Sequence, residues 1–148
     1  MLGSAGMIPA STDYLTMLRD VTQRHGLLLI FDEVQTGMGR LGTLFGYQSF
    51  GVEPDVMTLA KGLGGGVPIG AFLAKQEAAV FEPGDHGSTF GGNALTCAAA
   101  NAATRFTVSN DIPARAREMG AYLKQGLDAL RSRHAFITDV RGMGLLLA

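Results

Sequence analysis

The chain has 148 residues, 47% of them hydrophobic, and a formal net charge of −1. That is enough for one modest domain with a real core, and it gives no electrostatic case for nucleic acid or an anionic membrane surface. A single cysteine, Cys97, excludes an internal disulfide and fits a reducing, cytoplasmic setting.

The opening, MLGSAGMIPAS, is glycine-rich and reads as a loop, with Ser11 as a candidate N-cap. Leu15, Leu18 and Val21 recur at helical spacing, and His25-Gly26 closes that helix. Leu27 to Phe31 then run straight into Asp32 and Glu33. Phe45 to Phe50 predicts a short helix or turn. Gly51-Val52-Glu53-Pro54-Asp55 turns the chain into a second apolar run, Val56 to Ala60, which delivers Lys61 and then Gly62, Gly64, Gly65 and Gly66. The runs at 27–31 and 56–60 read as buried strands of a parallel sheet. Each places its charged residue just past its carboxyl end, the edge where open α/β sheets bind ligands. Ala71 to Ala74 is a further short apolar run.

His86-Gly87-Ser88-Thr89-Phe90-Gly91-Gly92-Asn93 is a loop before a helix. Its hydroxyls and backbone N–H groups suit a phosphate; that Ser88 or Thr89 caps a turn is the plainer reading. His86 reads as structural. Ala94 to Thr107 predicts a closely packed, fully buried helix of small residues, with Cys97 as a buried structural thiol. Asn110 or Asp111 caps the next helix, with Pro113 in its first turn. Ala116, Met119, Leu123, Leu127 and Leu130 mark one face of it, and Arg115, Arg117, Lys124 and Arg131 a solvated one. VRGMGLLLA reads as a loop entering an apolar strand. No apolar run approaches about 18 residues, and no charged start leads into an apolar stretch, so neither a membrane span nor a signal peptide is expected. No His/Cys/Asp/Glu spacing points to a metal. The 21 glycines, roughly twice the usual share, gather at the loops and read as backbone that approaches a ligand.

Asp32 and Lys61 together carry a chemistry. A lysine in a partly dry pocket loses its proton more easily and forms a Schiff base with an aldehyde. A buried aspartate holds a pyridine nitrogen in its protonated form. These are the two protein groups that pyridoxal phosphate requires. Taken alone, a surface lysine and a solvated Asp32–Glu33 turn remain the bland alternative.

The stretches FDEVQTGMGRLG, GVEPDVMTLAKGLGGGVPIGA, HGSTFGGNALTCAAA and VRGMGLLLA, in this order, resemble the class III, pyridoxal-phosphate-dependent aminotransferases of fold type I. Within that group they are most similar to the acetylornithine aminotransferases, and the resemblance runs from about Gly6 to Ala148. It implies an α/β fold with a mostly parallel sheet and flanking helices. Residues 1–108 would form part of the cofactor-binding large domain, and 109–148 a connecting helix and the start of a small C-terminal domain. It implies that Asp32 bonds the pyridinium nitrogen, that Gln35 donates to the ring's phenolic oxygen, and that Lys61 carries the cofactor and then moves the substrate proton. Glu33 and Val34 complete the cofactor-binding stretch; a hydrogen bond to nearby backbone is the other reading of Glu33. Thr89 would bind the cofactor phosphate of a neighbouring subunit, and Ser88 would lie by the substrate. Arg40 reads as structural.

The reaction implied is transfer of an amino group from N2-acetylornithine, or a related ω-amino donor, to 2-oxoglutarate in arginine biosynthesis, by a homodimer. Ornithine, succinylornithine and 4-aminobutyrate are alternative donors. A glutamate-1-semialdehyde aminomutase is the alternative to which Gly3-Ser4-Ala5-Gly6 is similar and DEVQTGMGR and GSTFGGN are not. The resemblance also implies further chain on both sides, holding a phosphate loop, an aromatic that stacks on the ring and the arginines for the substrate carboxylate. On that basis a second reading makes the 148 residues alone a non-catalytic segment that at most binds the cofactor.

Overall fold

The computed structural model describes residues 6–148; the expected loop at residues 1–5, with Gly3-Ser4-Ala5, lies outside them. Helix α1 spans Thr12–Arg24 and begins where the sequence places it. The Ser11 hydroxyl accepts from the Tyr14 N–H at 3.2 Å, filling one of the donors a helix start leaves open. Asp13 in the first turn and Arg24 in the last oppose the helix dipole. Gly26, at φ +61°, takes the left-handed conformation that stops the helix, and the chain enters the sheet.

The sheet has three strands, β1 (Ile30–Asp32), β2 (Val56–Leu59) and β3 (Ala71–Ala74), in that spatial order. β1 and β2 pair in parallel, Ile30 opposite Val56 and Asp32 opposite Thr58. β2 and β3 pair antiparallel, Val56 opposite Ala74 and Leu59 opposite Ala71. The parallel pair is the one the two apolar runs predict. The antiparallel partner is an addition that a short apolar run by itself does not reveal. β1 is also shorter than the expected 27–31. Leu29 stands just before the ladder and is fastened to it by Asp55: the Leu29 N–H donates to Asp55 Oδ2 at 2.8 Å, and its carbonyl accepts from the Asp55 N–H at 2.8 Å.

Burial divides the strands. β2, in the middle, buries Val56, Met57 and Leu59. β1 and β3 are edges, and Ile30 and Phe72 are 56% and 55% exposed. The expectation of two buried strands therefore holds for β2 and fails for β1, which among the described residues has one strand neighbour.

Helix α2 (Ala94–Ser109) is capped by Asn93, whose Oδ1 accepts from the Thr96 N–H at 3.0 Å. It packs on the turn at residues 61–64 and buries only Thr96 and Ala100. It is not the fully buried helix its small residues predict, and Cys97 is exposed, not a buried thiol. Small residues permit close packing without requiring it on every face.

Helix α3 (Ile112–Arg131) starts at Asp111, which caps the Ala114 N–H at 3.3 Å. It buries Ala116 and Gly120, while Met119, Leu123 and Leu130 stay exposed. Arg117, exposed as the expected solvated face requires, also reaches the 39–44 loop: its Nη1 donates to the Gly42 carbonyl at 2.6 Å. The last stretch is a hairpin and not a single strand. β4 (Gly142–Met143) folds back on β5 (Leu146–Leu147) about Gly144, at φ +56°. The Leu145 N–H then donates to the Arg40 carbonyl at 3.0 Å. The 39–44 loop thus lies between α3 and the hairpin. Among the described residues no helix is long and apolar enough to cross a membrane.

Candidate active site

Because β1 and β2 run in parallel with Asp32 opposite Thr58, their carboxyl ends open on the same edge. Asp32 is the last residue of β1, and Lys61 follows the end of β2 by two positions. Both line one cleft of about 430 Å³, together with Glu33, Val34 and Gln35. Leu15 of α1 and Tyr47 and Phe50 of the following segment add apolar wall.

Asp32 is exposed at the cleft, not buried, and is held in place through one oxygen. Its Oδ1 accepts from the Val34 N–H at 3.0 Å and from the Thr58 hydroxyl at 3.3 Å. Its Oδ2 accepts no hydrogen bond from the described residues, so one lone-pair face stays available. Glu33 is buried, and its hydrogen bonds are those of the backbone reading: it accepts from Gly46 and Tyr47 N–H groups and from the Thr36 hydroxyl. Gln35 is exposed at the cleft, its amide free of partners among the described residues.

Lys61 sits at φ +45°, in the left-handed region. A side chain there costs roughly 1–2 kcal/mol of backbone strain. A short 3₁₀ turn, Lys61–Gly64, follows, with Gly65 and Gly66 also at positive φ. A Cβ at Gly65 would meet Ala103 of α2 at 3.2 Å, so the glycine lets the helix close on the lysine turn.

Ser88 and Thr89 do not join this cleft; both are exposed. Ser88 Oγ accepts from the Gly91 N–H at 2.9 Å, the turn-capping arrangement. His86 stands edge-on to Phe81, with ring centroids 5.2 Å apart. Arg40 contributes its carbonyl to the hairpin, while its side chain is exposed. Sequence reasoning missed Leu15, Tyr47 and Phe50 as cleft residues. Their only signal was apolar or aromatic character next to a turn, which most such residues share.

The groups that converge can meet a planar pyridine ring that bears an aldehyde. A carboxylate with a free oxygen can hold a protonated ring nitrogen, an amide can donate to a phenolic oxygen, and a primary amine can reach the aldehyde carbon. The donor set therefore fits the ring and aldehyde of pyridoxal phosphate, with Asp32 at the end of β1, Lys61 just past the end of β2 and Gln35 from the turn after β1.

Comparison with known proteins covers the whole chain. The whole chain, residues 1–148, matches the family described as aminotransferase class-III. It is 48% identical over 145 residues to an acetylornithine aminotransferase of Caldanaerobacter subterraneus subsp. tengcongensis, covering 98% of this chain and 37% of that one. It is 50% identical over 146 residues to a putative [LysW]-aminoadipate semialdehyde/glutamate semialdehyde transaminase of Pyrobaculum aerophilum, covering 98% of this chain and 38% of the relative. Among solved structures it superposes on an ornithine aminotransferase from Plasmodium yoelii with a TM-score of 0.92 at 37% identity, covering 98% of this chain and 39% of that one. It also superposes on a taurine:2-oxoglutarate aminotransferase from Bifidobacterium kashiwanohense, solved in complex with PLP and glutamate, with a TM-score of 0.93 at 32% identity over 99% of this chain and 34% of that one. The chain thus spans little more than a third of the length of the relatives it matches. The family match over residues 1–148, with the fold shared by these solved structures, shows that the chain belongs to the class III aminotransferases.

Proposed function

We propose that this chain forms part of a pyridoxal-phosphate-dependent aminotransferase, with the cofactor in the cleft at the carboxyl ends of β1 and β2. The single observation that carries the reading is the parallel register of these strands, which brings Asp32, Gln35 and Lys61 to one cleft. Bound there, pyridoxal phosphate supplies an aldehyde and an electron-withdrawing ring.

The chain's residues do the rest. Asp32, anchored through Oδ1, uses its other oxygen to keep the ring nitrogen protonated. The Gln35 amide donates to the phenolic oxygen, and Val34 adds apolar surface beside it. The Lys61 amine would hold the cofactor's aldehyde at rest and, when free, would act as the base that moves a proton at the donor's Cα. Thr89 and Ser88, exposed and outside this cleft, serve the phosphate and substrate of a second copy's site in a homodimer.

The donor we favour is N2-acetylornithine, with 2-oxoglutarate as acceptor, as a step of arginine biosynthesis. The names of several relatives near half identity support this choice. Ornithine and other ω-amino compounds are the competing donors.

The test is a pyridoxal phosphate titration followed by visible absorption, then borohydride reduction and peptide mass analysis, beside Lys61→Ala. A visible band and a label on the Lys61 peptide are expected, with no label in the variant. A wild-type chain that takes no label would overturn the placing of a working cofactor site within these residues alone, while the family membership would stand. With the cofactor bound, acetylornithine should bleach the band faster than ornithine or 4-aminobutyrate; the reverse order would overturn the choice of donor.

A further inference from the structure

We infer that Glu33 is a positioning residue for this site, an inference that rests on the cofactor site proposed above. Glu33 lies between Asp32 and Val34, yet its side chain is only 3% exposed. Its Oε2 accepts from the Thr36 hydroxyl at 3.0 Å and from the Gly46 N–H at 2.5 Å. Its Oε1 accepts from the Tyr47 N–H at 2.7 Å. Its own carbonyl accepts from the Gly37 N–H at 2.9 Å.

One residue therefore ties together two parts of the cleft. Through Thr36 and Gly37 it closes the turn that carries Val34 and Gln35. Through Gly46 and Tyr47 it holds the segment that contributes Tyr47 and Phe50 to the lining. All three partners of its carboxylate are donors, so only a group that accepts at both ends satisfies them together. Hydrogen bonds to a carboxylate are shorter and stronger than neutral ones, and burial strengthens them further. The approach is close enough to dictate a neighbour: a Cβ on Gly46 would lie 2.9 Å from Glu33 Oε2 and 3.1 Å from Thr36 Cβ. Gln35 and Tyr47 are thus placed relative to Asp32 before any ligand arrives, as a preorganised site requires.

Glu33→Gln tests this. It keeps the size of the side chain and one accepting oxygen, but it turns an amide N–H₂ toward a donor. Hydrogen exchange read by NMR should show the Gly46 and Tyr47 amides released, with those of α1 unchanged. The dissociation constant for pyridoxal phosphate should rise at least about tenfold, and the pH midpoint of the visible band should move, while borohydride still labels Lys61. Asp55→Asn, which weakens the far end of β1, is the control: it should lower the melting temperature and leave affinity and band unchanged. Thr36→Val removes one of the three bonds and should show the same changes in smaller degree, which decides the matter if Glu33→Gln does not fold. Unchanged amide exchange, or released amides with unchanged affinity and band, would overturn the positioning role alone. A wild-type chain that binds no pyridoxal phosphate would overturn the placing of the cofactor site within this chain, and the positioning role with it.

Discussion

Lys61 occupies a backbone conformation, φ +45°, that lysine has no reason to prefer. Strain of this kind persists where surrounding structure imposes it, and it collects at working sites. Here α2 packs on the 61–64 turn that begins with Lys61. The strain should be measurable by comparing two variants that both lose the amine. Lys61→Gly relieves the left-handed residue, whereas Lys61→Ala retains the Cβ that conflicts with it. Glycine's greater freedom in the unfolded chain offsets part of the gain. The glycine variant should still be the more stable of the two by about 1 kcal/mol in urea unfolding. Equal stability, or a more stable alanine variant, would show that no strain is stored there. The sequence marks Lys61 clearly as a candidate nucleophile, because an apolar run and a glycine run flank it. It gives no sign of the positive φ, since nothing in the side chain of a lysine favours that region. Glu33 is the reverse case. An Asp-Glu pair at a strand end reads as two members of one site. Only the fold shows that one carboxylate keeps an oxygen open to the cleft while its neighbour is spent on Gly46 and Tyr47.

At the scale of elements, the entry to β1 depends on Asp55. This carboxylate accepts from the Leu29 N–H at 2.8 Å and pairs with Arg19 of α1 at 2.9 Å. It therefore joins helix, first strand and second strand. The hydrogen bond from Leu29 is the larger cause, with Arg19 and Lys75 adding to it against the effect of burial, and together they hold the Asp55 pKa below its ordinary 3.8. A carboxylate lowered in the folded state stabilises the fold above its ordinary value, and that contribution fades as pH falls through the lowered one. Asp55→Asn should thus cost about 1–2 kcal/mol near neutral pH. The gap to wild type should close only below pH 3.8. A gap that is constant down to pH 2 would contradict this account.

Helix α3 offers a second test, because it contains two glycines in different surroundings. A Cβ at Gly120 would collide with the carbonyl of Gly144 in the hairpin, whereas nothing stands within 4 Å of one at Gly126. Gly126→Ala should stabilise the chain by about 0.5–1 kcal/mol through helix propensity alone. Gly120→Ala gains the same propensity and should still lose about 1–3 kcal/mol to overpacking. Thermal unfolding of the two variants checks the sign of each. Helix limits were largely legible here: Ser11 and Asp111 are caps in the sequence and in the fold. Tertiary contacts such as Gly120 on Gly144, or Arg117 on Gly42, were not, because they join residues whose neighbours give no local sign of a distant partner.

Over the whole molecule, burial is where sequence pattern and fold part company. Leu27 to Phe31 and Ala94 to Thr107 are as apolar as core segments, and an apolar run reads the same whether or not a neighbour covers it. In the folded chain Phe90 is 83% and Leu95 75% exposed. Among the described residues no large side chain is fully enclosed. The accessible surface is 9607 Å², whereas a compact monomer of this length is expected to show about 7,200 Å². Exposed large apolar side chains lie on β1, β3 and α2 and on the loop before α2, and open apolar area of this extent is seldom left to water. The chain by itself should therefore bind a dye such as ANS while its secondary structure is intact. It should also associate with itself at micromolar concentrations in sedimentation velocity. Replacing Phe90 and Leu95 by glutamate should weaken that association without lowering the helix signal, since neither side chain contributes to the core. A dye-free monomer across the same concentration range would mean that these faces close over one another in solution.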